Sequence, residues 1–121
     1  MYEYRCTIVR WVDGDTVDVQ VDLGFTITAN QRVRLAGIDT PEMHSTNADE
    51  RAKAGLSRFY AQSIAPVGAA VMVATAKARA DDKYGRWLAK ITLADGRDVA
   101  TTMIGAGFGK PYDGGKKEPA A

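Results

Sequence analysis

Three short clusters in this chain carry residue types that could do chemistry on a phosphate ester. The first is Asp13-Gly14-Asp15-Thr16. Asp13-Gly14 alone supplies what a tight hairpin turn requires. Asp15 is not needed for that turn, and a carboxylate at the mouth of a strand is well placed to ligate a hard cation. The second cluster is Arg32-Val33-Arg34-Leu35-Ala36-Gly37-Ile38-Asp39-Thr40-Pro41-Glu42. Alternation along a strand puts Arg32 and Arg34 on one face and Val33 and Leu35 on the other. Solvated arginines ahead of a helix start would explain part of this run, but not its dense polar end. Asp39, Thr40 and Glu42 fall close together there, after an arginine. Hard divalent cations take carboxylate and carbonyl oxygens, so Asp15 and Asp39 could share one ion. Glu42 would lie just outside that pair, where a carboxylate could orient a water. The third cluster, Asp82-Lys83-Tyr84-Gly85-Arg86, reads in isolation as a solvated turn. Its lysine, tyrosine and arginine nonetheless offer a point charge, a phenol donor and a bidentate fork, the groups that grip phosphate oxygens. Together the clusters describe two carboxylates on a cation, a third activating water, and two arginines facing the charge that develops on phosphorus. A positioned general base typically contributes ~10²–10⁴-fold, and preorganised charge stabilisation several kcal/mol more.

These clusters need a scaffold, and the periodicity supplies one. Thr16 to Leu23 alternates cleanly, with Val17, Val19, Val21 and Leu23 apolar and Asp18, Gln20 and Asp22 polar, the pattern of a half-buried strand. Tyr4 to Val12 is rich in β-branched and aromatic residues and runs into Asp13-Gly14, which predicts a hairpin. A third strand is predicted over Gln31 to Ile38, stopped at Thr40-Pro41 because proline denies its predecessor a helical conformation. From Asn47 to Ala65 the period changes. Ala52, Leu56, Phe59, Tyr60 and Ile64 form one stripe of an amphipathic helix, with Arg51, Lys53 and Arg58 outside and Asn47 and Glu50 as a capping box. Strands follow over Val71 to Ala78 and Arg86 to Leu93, then a shorter helix over Asp98 to Gly107, ended by glycine. Residues 1–110 form one domain in this reading, and 111–121 a flexible glycine- and lysine-rich tail. Three strands, a helix and two more strands match an α+β fold: a five-stranded Greek-key OB-type barrel with one long and one short helix.

Asp-Gly-Asp-Thr, then Arg-x-x-x-x-Asp-Thr-Pro-Glu, then Asp-Lys-Tyr-Gly-Arg, in this order, resembles the staphylococcal nuclease (thermonuclease) family over roughly Tyr4 to Lys110. The resemblance implies an OB-fold, calcium-dependent phosphodiesterase that cleaves DNA and RNA, preferentially single-stranded, and leaves 3′-phosphates. It makes Asp15 and Asp39 the side-chain ligands of one Ca²⁺, with the Thr40 carbonyl added. Glu42 matches the general base toward the attacking water. Arg34 and Arg86 match the arginines on the reacting phosphate, and Lys83 and Tyr84 match contacts to a neighbouring phosphate. Tyr112 stands loosely for the family's nucleotide-stacking tyrosines. The third helix of the best-known members has no counterpart before the tail, which predicts a weaker grip on substrate.

Composition bounds the alternatives. The chain has 121 residues, about one domain, with 45% hydrophobic and 26% charged residues, which is ordinary globular usage. Sixteen basic against fifteen acidic residues exclude a strongly basic DNA-coating protein while leaving room for a local basic cleft. The longest apolar run, Ala69 to Ala74, is far short of the ~20 residues of a membrane span. Cys6 has no partner for an internal disulfide, and no secretory signal opens the sequence, so a cytoplasmic monomer is expected, with a secreted mature form as the alternative. One histidine and one cysteine do not make a zinc site, and His44 reads as a surface-loop residue. Trp11 and Trp87 read as packing residues. The rival to an enzyme is an inactive OB module that binds single strands. Such a module is expected to have lost catalytic groups, whereas Asp15, Arg34, Asp39, Glu42 and Arg86 are all present.

Overall fold

The computed structural model describes residues 2–75 and 86–112. The chain order is β1 (Tyr2–Asp13), β2 (Thr16–Asp22), β3 (Thr28–Leu35), β4 (Ile38–Asp39), α1 (Ala48–Ile64), β5 (Ala70–Thr75), β6 (Trp87–Leu93), α2 (Val99–Gly105) and β7 (Lys110–Pro111). Five strands close into a barrel in the order β1-β2-β3-β6-β5, the expected OB-type architecture. All contacts around it are antiparallel except β3–β6, where Val33, Arg34 and Leu35 run parallel to Trp87, Leu88 and Ala89. Strand β1 pairs on both sides, with β2 through Cys6–Asp13 and with β5 through Tyr2–Thr7. Irregularities after Ile8 and Trp11 bend it, as closure of a small barrel requires.

The alternating residues fill the interior as expected. Val17, Val19 and Val21 are buried with Ile8, Trp11, Val33, Leu35, Val71, Val73 and Ile91. Leu23 is not among them, because β2 ends at Asp22 and the chain turns through Phe25 and Thr26, both at positive φ. The third strand differs from its predicted span at both ends. It starts at Thr28, and after Leu35 the chain turns at Gly37 (φ 83°). Ile38–Asp39 then forms a separate ladder with Lys110–Pro111, which places Pro111 in a paired strand. The last two barrel strands are Ala70–Thr75 and Trp87–Leu93, with residues 76–78 of the predicted fourth strand outside the described residues.

Helix α1 begins where predicted. The Asn47 side chain accepts from the Glu50 N–H, and the Glu50 carboxylate accepts from Ser45 Oγ at 2.7 Å. Its buried face departs from the expected stripe. Ala54, Ser57 and Ala61 are buried, whereas Leu56 and Phe59 are 60% and 70% exposed, and half-buried Arg58 donates to the Trp11 carbonyl at 2.8 Å. The cause is close approach. A Cβ on Gly14 would stand 2.9 Å from Ser57 Cβ, so only the small-residue face of α1 can lie against the barrel at that point. Among the described residues no helix is long and apolar enough to cross a membrane.

Candidate active site

The site is assembled where β1 hands over to β2, at the end of β3, and in the turn beyond it. The hairpin residue Asp15 is 7% exposed, and its Oδ2 accepts the Thr40 backbone N–H at 3.2 Å. Thr16 Oγ donates to Asp15 Oδ1 at 3.2 Å. Opposite Thr16 on the neighbouring strand stands Arg34. Its Nη2 lies 3.7 Å from Asp15 Oδ2 and 3.5 Å from Asp39 Oδ1, and its Nη1 donates to the Leu35 carbonyl at 3.3 Å. The central carbon of the same guanidinium lies over the Tyr112 ring, 5.1 Å from its centroid. Arg86, just before β6, donates to Thr16 Oγ at 3.1 Å. Residues from all three sequence clusters therefore meet in one contact network.

Of the predicted residues, Asp15, Arg34, Asp39, Thr40 and Arg86 are brought together directly, and Tyr112 joins them from the far end of the chain. Glu42 is exposed in the segment after β4, where its carbonyl accepts from the Ser45 N–H. Lys83 and Tyr84 lie outside the described residues. Arg32 shares the face of Arg34 but pairs with Asp18 at 2.8 Å, with its side chain about half exposed, as a surface ion pair. His44 is exposed, Trp11 is fully buried, and Trp87 donates from its indole to Gln31, consistent with packing roles for both tryptophans.

Two participants were not singled out by sequence reasoning. Thr16 links Arg86 to Asp15, although the only signal in the sequence was its place beside Asp15 in the first cluster. Asp13, assigned to the turn, sits half-buried beside Asp15, and burial followed by the Asp15 charge raises its carboxyl above the ordinary range. Glu42 adds a weaker push in the same direction, while the Met43 N–H and His44 oppose it.

The donor chemistry fits a hard divalent cation. Asp15 and Asp39 aim carboxylate oxygens at one centre of positive charge, now provided by Arg34. One Asp13 oxygen and the Thr40 hydroxyl are buried without a hydrogen-bond partner among the described residues. No set of three His, Cys, Asp or Glu side chains closes on one point among those residues. A cation held here would keep part of its water shell, as Ca²⁺ and especially Mg²⁺ do.

The sequence model of a family described as staphylococcal nuclease homologues matches residues 32–119. The match takes in Arg34, Asp39, Thr40, Glu42, Arg86 and Tyr112 but starts after Asp15. The place of Asp15 in the cluster thus stands on its contacts with Thr40, Thr16 and Arg34. None of the curated proteins compared matches the chain.

Proposed function

Because this chain belongs to the family of staphylococcal nuclease homologues, we propose that it is a calcium-dependent nuclease that hydrolyses phosphodiester bonds of single-stranded DNA and RNA and leaves 3′-phosphate ends. The observation that best supports this reading is the network in which Arg34 spans Asp15 and Asp39 while Arg86 reaches the same cluster through Thr16.

In this mechanism Asp15 and Asp39, with the Thr40 carbonyl, hold the cation. When bound, the cation supplies Lewis-acid polarisation of a phosphoryl oxygen. Glu42 takes the proton of the attacking water as the new O–P bond forms and the P–O5′ bond breaks, the departing 5′-oxygen taking up a proton from solvent. Arg34 and Arg86 donate to the non-bridging oxygens, whose negative charge peaks in the transition state. Their N–H forks match that geometry better than an ammonium would. With the cation on Asp15 and Asp39, the Leu35 carbonyl still anchors Arg34 through Nη1, leaving Nη2 to turn toward the phosphate. Lys83 and Tyr84 hold an adjacent phosphate. All these contacts address phosphate, which carries no base identity, so cleavage is expected on both nucleic acids.

The test is release of acid-soluble nucleotide from heat-denatured DNA with calcium, with magnesium and with chelator, for the native protein, Glu42→Gln and Arg86→Ala. Calcium-dependent release that each substitution lowers ~10²–10⁴-fold is the expected result. Absence of release with single-strand binding retained would overturn the enzyme and leave a binding module.

A further inference from the structure

We infer that Tyr112 is a positioning residue for Arg34, and that it acts on the reaction through the guanidinium instead of serving as a stacking platform for a base. The inference rests on the nuclease reading for its consequence, but the contact itself does not. The segment carrying Tyr112 is anchored at successive points. The Phe108 ring stacks on Tyr60 with centroids 4.5 Å apart, and its carbonyl accepts from Ser57 Oγ at 2.8 Å. A Cβ on Gly109 would overlap Ile38 Cδ1 and Cγ1, so glycine here lets the chain pass close to Ile38 without displacing it. Lys110 and Pro111 pair with Asp39 and Ile38, and the Tyr112 N–H donates to the Gly37 carbonyl at 3.0 Å.

These contacts fix the Tyr112 backbone on the turn that joins Arg34 to Asp39. The Tyr112 ring then lies under the Arg34 guanidinium carbon, 5.1 Å from it, beside a side chain that is only 15% exposed. A guanidinium is planar, so hydrogen bonds at its edge and an aromatic ring on its face constrain different rotations. Leu35, Asp15 and Asp39 hold its N–H groups, and the Tyr112 ring bounds its central carbon from one side. The ring face that meets Arg34 is closed to a nucleobase. What the site needs from Tyr112 is therefore the ring and not the hydroxyl.

Steady-state kinetics and side-chain NMR of Tyr112→Phe, Tyr112→Leu, Arg34→Lys and the Tyr112→Leu/Arg34→Lys double variant test this. The expected result is that Tyr112→Leu lowers kcat by ~10–100-fold with KM nearly unchanged, the loss typical of a misplaced catalytic group. Tyr112→Phe should keep native kcat, and Tyr112→Leu should cost little more once Arg34 is lysine. In the NMR spectrum the ring-current shift of the Arg34 side-chain resonances should persist in Tyr112→Phe and vanish in Tyr112→Leu. A rise in KM at constant kcat, or an undiminished loss in the Arg34→Lys background, would overturn the inference in favour of a base platform. If the native protein hydrolyses nothing, the nuclease reading fails, while the ring-current comparison still decides whether Tyr112 orders Arg34. Unshifted Arg34 resonances in the native protein would by themselves sink the proposal.

Discussion

At one end of the β1–β2–β3 wall, Asp15, Thr16, Arg34 and Asp39 are tied to one another by contacts of 3.2–3.7 Å. At the other end, the start of β1, the end of β2 and the start of β3 surround a cavity of about 290 Å³. Tyr2, Tyr4, Leu23 and Trp87 form its rim, and Cys6, Val21 and Val33 lie deeper. The charged end is closely packed, and each group is held by others of opposite or complementary character. The apolar end is underfilled, and its lining has no directional requirement. The contrast separates two uses of sequence. The charged end gives up stability for geometry, since partly buried charges are costly even when paired. The apolar end leaves part of its apolar lining uncovered in a half-open pocket, which forgoes the stabilisation of burying it. Substitutions at the first end should therefore act mainly on activity and at the second mainly on stability.

Adjacent residues of β3 put this to the sharpest test, because Arg34 serves the charged end and Val33 the apolar one. Arg34→Ala removes the group shared by Asp15 and Asp39 and should lower hydrolysis of denatured DNA by ~10²–10³-fold, the scale for loss of one transition-state donor. A variant within a few-fold of native activity would break the contrast at its strongest point. Gly14→Ala should come next. Its new Cβ meets Ser57 Cβ at 2.9 Å and Thr40 Cγ2 at 3.1 Å, so the hairpin or α1 must shift. Overpacking of this kind typically costs ~1–3 kcal/mol in thermal or denaturant unfolding, and here it should also lower activity by displacing Asp15 and Thr40. Adding Ser57→Gly should recover part of both losses, whereas equal losses in the single and double variants would show that the strain arises elsewhere.

How much of this was legible in the sequence divides along the same line. The barrel could be read from Val17, Val19 and Val21 because a strand exposes its burial pattern at a period of two, independent of neighbours. The residues that meet at the charged end could be read because their types are costly to gather without use. What could not be read were contacts made across long stretches of chain. Gly14 was assigned to a turn, yet it is not at positive φ and is held to glycine by space beside Ser57. The same contact rotates α1 so that Leu56 and Phe59 face outward. Nothing in local periodicity reports how closely a helix approaches a barrel. The cation–π contact between Arg34 and Tyr112 was hidden for a similar reason, since it depends on the β4–β7 ladder that brings the end of the domain back onto the turn at Gly37.

At the apolar end the effects should be smaller and favourable in sign. Val33 is 2% exposed and lines the cavity, so Val33→Ile adds one methylene into unfilled space. A gain of about 0.8 kcal/mol in denaturant unfolding is expected, with unchanged hydrolysis. A loss of stability would mean that the cavity is already filled or cannot admit the new carbon.

The last effect should appear only at alkaline pH, at Cys6 in the floor of the same cavity. Burial, reinforced by the Asp22 carboxylate, pushes the Cys6 thiol from 9.0 up to about 11. The folded state therefore holds this proton more tightly than the unfolded chain does. The associated stability is complete below pH 9, declines as pH rises, and is exhausted above the folded value near 11. Lysines and tyrosines titrate over the same window, so the measurement that isolates the thiol is a difference. Cys6→Ala, followed by denaturant unfolding between pH 8 and about 11, should show a shallower decline than the native protein. The thiol of the native protein should also react far more slowly with iodoacetamide at pH 8 than that of the unfolded chain, because thiolate is the reactive form and little is present at a 2% exposed site. Parallel declines for native and Cys6→Ala, together with rapid alkylation, would mean that water enters the cavity freely, and the apolar end would then have to be described as solvated.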